Sequence, residues 1–339
     1  MVGAEMQTDL GHLSSTKPSI DPRLNRSERR IWAFVSRSPL KSLWNLQGVP
    51  ANEVLRRTWR SIFEDRVFGH AAELGFYFLF ALFPTLFCAS SILGMAARSA
   101  DKIYVRLLDY LALVIPTSAL STVLSTFNET AAAASSGKVT FGLIAAVWSA
   151  SVGISAIQDT LNVVYKIQDS RSYFLARIHA IGLTVLLTII VSLDLAALLG
   201  GDYFARLVSL RIPDHIAEII VAGSIRLVGW IAANALLALC FAVIYYWAPG
   251  CKTRRWHWLT PGGTVGIVGL LLASLGLRMY LHFFNSFTMT YGSLGAVITL
   301  LTWFYITGLM ILLGAEINSH IEAAAAERLL AAHGVDTGA

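Results

Sequence analysis

Apolar residues in this chain are grouped into six long runs, which polar and charged residues separate. One run, from residue 294 to residue 315, contains no charged side chain. A helix of that length, at about 1.5 Å per residue, crosses the roughly 30 Å of hydrocarbon in a bilayer. The pattern therefore predicts an all-α, polytopic membrane protein, a bundle of six transmembrane helices. The predicted spans are residues 74–94, 139–158, 178–199, 227–247, 259–277 and 291–319.

Two of these spans carry local signals for helix shape and packing. Pro84 lies near the middle of the first span, where it removes one backbone hydrogen bond and should kink the helix. Tyr291 and Gly292 open the last span, and the small residues that follow allow helix backbones to approach closely. We therefore expect a kinked first helix and a closely packed last one.

Residues 51–68 form the clearest amphipathic segment outside the spans. Leu55, Trp59, Ile62 and Phe63 share one helical face, and arginines occupy much of the remainder. This pattern is typical of a helix that lies on a membrane surface. A soluble helix packed on its own domain is the alternative.

The remaining segments are more polar. Residues 29–46 favour weak helical structure at the membrane surface, and residues 95–138 predict two amphipathic helices in an external loop. We divide the chain into a partly disordered cytoplasmic segment, 1–50, a membrane domain, 51–320, and a short cytoplasmic C-terminal helix and tail, 321–339.

Composition and charge agree with this assignment. Of the 339 residues, 55% are hydrophobic and 14% are charged, which is too apolar for a soluble domain. The net charge of +5 would suit a nucleic-acid-binding protein, but Lys and Arg gather on one side of the predicted membrane, as the positive-inside rule requires. We therefore expect both termini in the cytoplasm and no nucleic-acid partner. The side chains on that side are Arg56, Arg57, Arg60, Arg66, Lys166, Arg171, Arg177, Lys252, Arg254 and Arg255.

Charged residues near the outer ends of the spans form one group of functional candidates, because charge inside hydrocarbon is costly. They are Asp194, Arg226 and Arg278. The two arginines have an alternative explanation, since long side chains at helix ends reach back to the headgroups. Asp194 is expected to pair with one of them, either to hold the helices together or to line a polar cavity. Asn234 lies inside the fourth span.

A second group lies near the inner ends of the spans. The glutamates of this group either mark the membrane interface or belong to a proton relay. With the amides and Asp159 they are candidates for a polar path or for helix packing. The group consists of Glu73, Gln158, Asp159, Asn162, Glu316 and Asn318.

No pattern of catalytic residues is found in the chain. The eight histidines are scattered without metal-binding spacing, and neither a nucleophile elbow nor a phosphate-binding glycine loop occurs. The three cysteines form no CxxC pair. The sequence therefore predicts no enzyme, catalytic residue, cofactor or metal ion.

Several short motifs, in order, resemble the YihY/BrkB family of bacterial inner-membrane proteins. The resemblance covers roughly residues 52–320, and it is the ordered set of motifs that is specific. The motifs are AAELGFY at 71–77, FPTL at 83–86, WSAS at 148–151, LNVVY at 161–165, YWAP at 246–249, TPG at 260–262, YGSLGA at 291–296 and LGAEIN at 313–318.

This resemblance implies six transmembrane helices in the bacterial inner membrane. It implies little about activity: some members carry a ribonuclease label tied to tRNA processing, and others a virulence label. Our leading hypothesis is movement of a lipid or another amphiphile, or support of envelope integrity, with membrane lipids as partners. The alternatives are a non-transporting membrane scaffold for envelope machinery and, more remotely, a ribonuclease acting on tRNA. Envelope proteins or further copies of this chain, in a homo-oligomer, are the other expected partners.

Overall fold

The structure, a computed structural model, describes residues 20–21, 24–37, 43–44, 50–95, 136–169, 171–209, 215–250, 256–283 and 293–332. This part of the chain contains eight α-helices and no strand, which confirms the all-α prediction. The helices are α1 (Arg26–Arg37), α2 (Ala51–Glu64), α3 (Val67–Met95), α4 (Ser136–Val164), α5 (Tyr173–Ser209), α6 (His215–Trp247), α7 (Pro261–Phe283) and α8 (Ser293–Ala332).

The six predicted spans overlap the six long helices, α3 to α8. Four of these helices are long and apolar enough to cross a membrane within the described residues. Their apolar segments are Tyr173–Val208, Ile219–Trp247, Pro261–Phe283 and Leu294–Ala331. A shorter apolar segment, Val67–Leu82, lies in α3. The membrane class is thus confirmed, while the number of crossings and the side of the termini stay predictions.

The six long helices form a ring. Each helix from α3 to α8 contacts the next one along the chain, and α8 returns to pack against α3. Leu74, Leu161 and Leu312 bring α3, α4 and α8 together in one buried cluster. The outward faces are rich in exposed large apolar side chains, such as Phe174, which is 77% exposed. An apolar exterior over a packed core is the arrangement that a bilayer favours.

Helix α8 is the longest element and extends well beyond the other helices. Its 40 residues span about 60 Å, twice the hydrocarbon thickness. The C-terminal half contacts α1, where Ile31 and Trp32 pack on Ala323 and Ala326. Segment 29–46 is therefore helical in part, as predicted, but Ile31, Trp32 and Leu43 pack on α8. The predicted boundary at residue 320 falls inside this continuous helix.

Helix α2 also packs on the C-terminal half of α8. Val54 contacts the Ile321 cluster, and Arg57 donates to both carboxylate oxygens of Glu327 at 2.8 Å. Leu55, Trp59 and Phe63 remain exposed on the other side of α2, whereas Ile62 enters the core. The predicted apolar face thus divides between a protein contact and an exposed surface that suits a membrane interface.

Two sequence predictions about this fold stay untested. Helix α3 continues through Pro84 to Met95, and the predicted kink stays a prediction. The amphipathic helices predicted in the first loop fall on residues 96–135, outside the described part of the chain.

Candidate functional site

A buried charged cluster lies where α8 passes the α2–α3 turn and the end of α4. We call it the Glu316 cluster; it consists of Asp65, Lys166, Glu316 and His320. Lys166 donates to both oxygens of Asp65, and Ser61 Oγ donates to Asp65 Oδ2 at 2.9 Å. Asp65 and Lys166 are charged groups that face Glu316. Sequentially distant residues thus meet at one end of the bundle.

Glu316 is the most enclosed member of the cluster. Its exposed fraction is 0%, and neither carboxylate oxygen makes a well-formed hydrogen bond within the described residues, although the side chains of Ser61 and Asp65 lie close by. The His320 Nε2 atom is 3.5 Å from Glu316 Oε2, one helical turn further along α8. Burying a carboxylate without hydrogen bonds is costly, so a carboxylate retained there indicates a role beyond packing.

Local backbone geometry places Asp65 and Lys166. Helix α2 ends at a tight turn in which Asp65 N donates to Ser61 O, and Arg66 takes a left-handed φ of 52°. Helix α4 ends in the same way: Ile167 N donates to Asn162 O, and Lys166 has a φ of 53°. Glycine normally occupies such positions, and other residues there cost about 1–3 kcal/mol. The contact of Lys166 with Asp65 favours this conformation.

Asn318 lies outside the Glu316 cluster, although both residues belong to the LGAEIN motif. Its side chain lies at the start of α7, where it accepts from Gly262 N and donates to Thr260 Oγ1, each at 2.9 Å. Thr260 Oγ1 also accepts from Gly263 N. These bonds satisfy the free N–H groups of the first turn of α7. Asn318 is therefore a residue that joins α7 to α8.

Asn162 joins two loops at the same end of the bundle. It accepts from Gly250 N at 2.7 Å and lies beside Asp169, whose carboxylate is held by Arg171 at 2.6–2.9 Å. Burial alone would raise the pKa of Asp169, but the hydrogen bonds from Arg171 outweigh burial and lower it. Asn162 of the LNVVY motif thus binds the residue that directly follows the YWAP motif, which gives this asparagine a structural role.

The other inner candidates do not join the Glu316 cluster. Gln158 is buried on α4, and its Nε2 has no partner in the described residues. Asp159 and Glu73 are exposed, and His70 Nδ1 is 3.4 Å from Glu73 Oε2. The predicted inner layer therefore separates into a buried cluster and an exposed acidic surface.

In the outer group, the register of α5 and α6 separates Asp194 from Arg226. A Cβ added to Gly201 would lie 3.2 Å from Gly229 Cα, so these two residues lie at the same height along the axes of α5 and α6. Because only five residues join α5 to α6, the two helices run antiparallel. Asp194 lies seven residues before Gly201, so it has the same height as a residue about seven positions after Gly229, near residue 236. Arg226 lies about ten residues from that level, roughly 15 Å along the axis.

This distance is too long for the predicted pair with Arg226. Asp194 Oδ1 is buried and has no hydrogen-bond partner in the described part. Arg278 is exposed on α7, and its pairing with Asp194 stays a prediction. Asn234 is exposed and donates to Trp230 O within its own helix. Tyr291 and Gly292 lie outside the described residues.

Sequence reasoning missed Asp65, Lys166 and His320 as members of a site. Lys166 was assigned only to the basic side of the membrane, and Asp65 ends a segment interpreted as interfacial. His320 follows Glu316 by four residues on one helix, a spacing that places two side chains on one face. That spacing was the available signal.

The described residues contain no group of three or more His, Cys, Asp or Glu side chains placed to hold a metal ion. The long apolar helices, their exposed apolar faces and the buried charges at one end define a polytopic α-helical membrane protein. A family model described as virulence factor BrkB matches residues 58–335. The chain belongs to the BrkB family, which confirms the resemblance noted from its motifs.

Curated relatives are membrane proteins and a ribonuclease-like protein. The chain is 32% identical over 249 residues to the ribonuclease-like protein YfkH of Bacillus subtilis, covering 74% of this chain and 88% of YfkH. It is 28% identical over 279 residues to the UPF0761 membrane protein Smlt0865 of Stenotrophomonas maltophilia, covering 79% of this chain and 60% of that protein. A UPF0761 membrane protein of Xanthomonas oryzae is 27% identical over 272 residues, with the same coverage. The chain thus spans about 60% of the length of the UPF0761 relatives that it matches. No solved structure matches.

Proposed function

We propose that this protein moves a lipid or another amphiphile across the membrane, and that the Glu316 cluster forms the polar end of its path. The observation that carries the proposal is Glu316 itself, a fully buried carboxylate whose oxygens make no well-formed hydrogen bond within the described residues, beside the partly buried ion pair of Asp65 and Lys166. In a membrane protein, buried ionisable groups of this kind mark substrate or ion pathways.

The cluster can serve a headgroup because it offers both signs of charge. Lys166 is 20% exposed at its side chain, and Asp65 is 9% exposed, so the pair lies near the surface of the bundle while Glu316 lies inside it. A zwitterionic or anionic headgroup that enters there would lose part of its hydration and bind Lys166 and the Ser61 hydroxyl instead. The predicted topology puts this end in the cytoplasm of a bacterial cell, at the inner membrane.

Asp194 supports the same proposal from further along the path. It lies in the middle part of α5, and its Oδ1 is enclosed without a partner among the described residues. Together, Glu316 and Asp194 provide polar groups at two depths of a bundle whose exterior is apolar. No nucleotide-binding motif occurs in the sequence, so a gradient or a partner protein would supply any driving force.

The test is a lipid-movement assay with purified full-length protein in liposomes that carry a fluorescent phospholipid. A membrane-impermeant reductant reports how fast lipid reaches the outer leaflet. We expect faster movement than in empty vesicles, and we expect Asp194→Asn to slow it. If folded protein moves no lipid of several headgroup classes, simple lipid movement is refuted and the scaffold function is favoured. Cleavage of tRNA by the same preparation would instead support the ribonuclease function that the name of YfkH suggests.

A further inference from the structure

Arg177, in the second turn of α5, lies in a groove between α4 and α5, separate from the Glu316 cluster. Its Nη1 donates to Ser155 Oγ, and its Nη2 donates to the backbone oxygen of Trp148, both at 3.2 Å. The guanidinium carbon lies 4.3 Å from the centre of the Trp148 ring, a cation–π contact. The side chain is thus fixed in the groove by three contacts with α4.

All the groups that hold Arg177 are neutral. Ser155 Oγ donates onward to Ser151 O at 3.0 Å, and Ser151 Oγ donates to the same Trp148 oxygen at 2.7 Å. Within the described residues, no carboxylate lies within 4 Å of Arg177. A guanidinium has five N–H donors, and the contacts above use two of them. The serines therefore position the positive charge without neutralising it.

The surroundings of Arg177 on the outer side are apolar. Phe174, Ile178 and Trp148 are all more than half exposed, so in a bilayer they contact lipid. The guanidinium lies level with the Ser151–Ser155 turn, about 6–12 Å along α4 from the exposed Asp159. A full positive charge at that depth, beside hydrocarbon and without a counter-ion, is costly. An anion from the membrane itself would remove this cost.

We propose that Arg177, Trp148 and Ser155 form a binding site for the headgroup of an anionic phospholipid. The planar guanidinium donates in parallel to phosphate oxygens, and the binding is charge-assisted. Tryptophan is the residue enriched at this depth of a membrane, where its ring lies among headgroups and upper acyl chains. Basic pockets between transmembrane helices bind anionic headgroups in this way. The WSAS motif at residues 148–151 thereby gains a role in holding the site. The site binds lipid whether or not the protein moves lipid.

Native mass spectrometry of the purified full-length protein tests this site. Phosphatidylglycerol and phosphatidylcholine with identical acyl chains are titrated onto delipidated protein. We expect the wild type to prefer phosphatidylglycerol, and Arg177→Gln to weaken that binding about tenfold while leaving phosphatidylcholine unchanged. Arg177→Lys keeps the charge but not the planar fork, so its loss should be smaller. Arg60→Gln is the matched control, an exposed arginine on α2 that is paired with Glu64, and should bind as the wild type does.

Three results would overturn the proposal. Equal binding of the two lipids by the wild type would remove the anionic preference. Unchanged phosphatidylglycerol binding in Arg177→Gln would place the lipid elsewhere. Displacement of phosphatidylglycerol by millimolar inorganic phosphate would mean that the site takes free phosphate and not a lipid. If Arg177→Gln fails to fold, Trp148→Leu is the second variant, and it keeps the charge of Arg177. It should still lower the preference for phosphatidylglycerol over phosphatidylcholine. A Trp148→Leu variant with the same preference as the wild type would also refute the site.

Discussion

The contact between α7 and α8 at Gly262 gives a sharp prediction about what holds this bundle together. A Cβ added at Gly262 would lie 1.9 Å from the backbone oxygen of Gly314 and 2.7 Å from Cγ and Oδ1 of Asn318. Ordinary contacts of a Cβ begin at about 3.4 Å. The two helices would have to separate by more than 1 Å, because a backbone oxygen cannot turn aside as a flexible side chain can.

The energetic cost of Gly262→Ala follows from that geometry. Overpacking a tight core typically costs about 1–3 kcal/mol. Separation of the helices would also lengthen the 2.9 Å bond from Gly262 N to Asn318 Oδ1, and a buried hydrogen bond contributes about 0.5–1.5 kcal/mol. We therefore expect destabilisation near or above the upper end of the overpacking range, about 3 kcal/mol.

Gly276→Ala is the matched control in the same helix. Among the described residues, no atom outside the helix's own backbone lies within 4 Å of a Cβ at Gly276, so alanine fits there and should gain up to about 1 kcal/mol of helix propensity. Thermal unfolding of both variants in the same detergent measures the difference. Gly262→Ala should lower Tm by several degrees, and Gly276→Ala should leave it equal or slightly higher. A Gly262→Ala variant as stable as the wild type would refute the close approach of α7 and α8.

Two further predictions concern charged groups. Lys166→Gln leaves Asp65 and Glu316 without their cation and should lower the free energy of unfolding by about 3 kcal/mol. This value is the lower end of the range for breaking a buried ion pair, because the Lys166 side chain is 20% exposed. Arg60→Gln is the control: it breaks the exposed ion pair with Glu64 and should change Tm little. If Lys166→Gln and Arg60→Gln lowered Tm equally, the burial of the Glu316 cluster would be contradicted. Arg171 lowers the pKa of Asp169 in the folded protein. The ionised carboxylate therefore stabilises the fold at pH values above its unfolded pKa, which is near 4. This stabilisation is lost as the pH falls through the lower pKa of the folded state. Wild type should therefore exceed Asp169→Asn in Tm at pH 6 and converge with it toward pH 3; a constant difference would argue against the role of Arg171.

The sequence predicted the helices and the membrane class because those depend on local composition. Runs such as 294–315 are visible without any knowledge of contacts, and each overlaps a long helix of the structure. The same reasoning marked Glu316 as a candidate, since a carboxylate beside such a run is unusual. The structure places it at the centre of a buried charged cluster.

Asp65 and Lys166 could not be predicted as partners of Glu316 because the three residues come from separate parts of the chain. Asp65 follows α2 and Lys166 follows α4, and only the packing of α8 on both brings their charges together. The choice between Arg226 and Arg278 as the partner of Asp194 stayed open for the related reason that helix register was unknown. Gly201 and Gly229 set that register, and a sequence alone does not say which glycines meet.

The most direct measurement of the central claim compares Glu316→Gln with the wild type in the lipid-movement assay. Glutamine keeps the size of the side chain and removes its ionisable carboxyl group, and Tm recorded on the same protein controls for folding. Glu64→Gln, an exposed carboxylate on α2, is the matched control. We predict movement near that of empty vesicles for Glu316→Gln and wild-type movement for Glu64→Gln. Folded Glu316→Gln protein that moves lipid at the wild-type rate would contradict the assignment of the Glu316 cluster to the path.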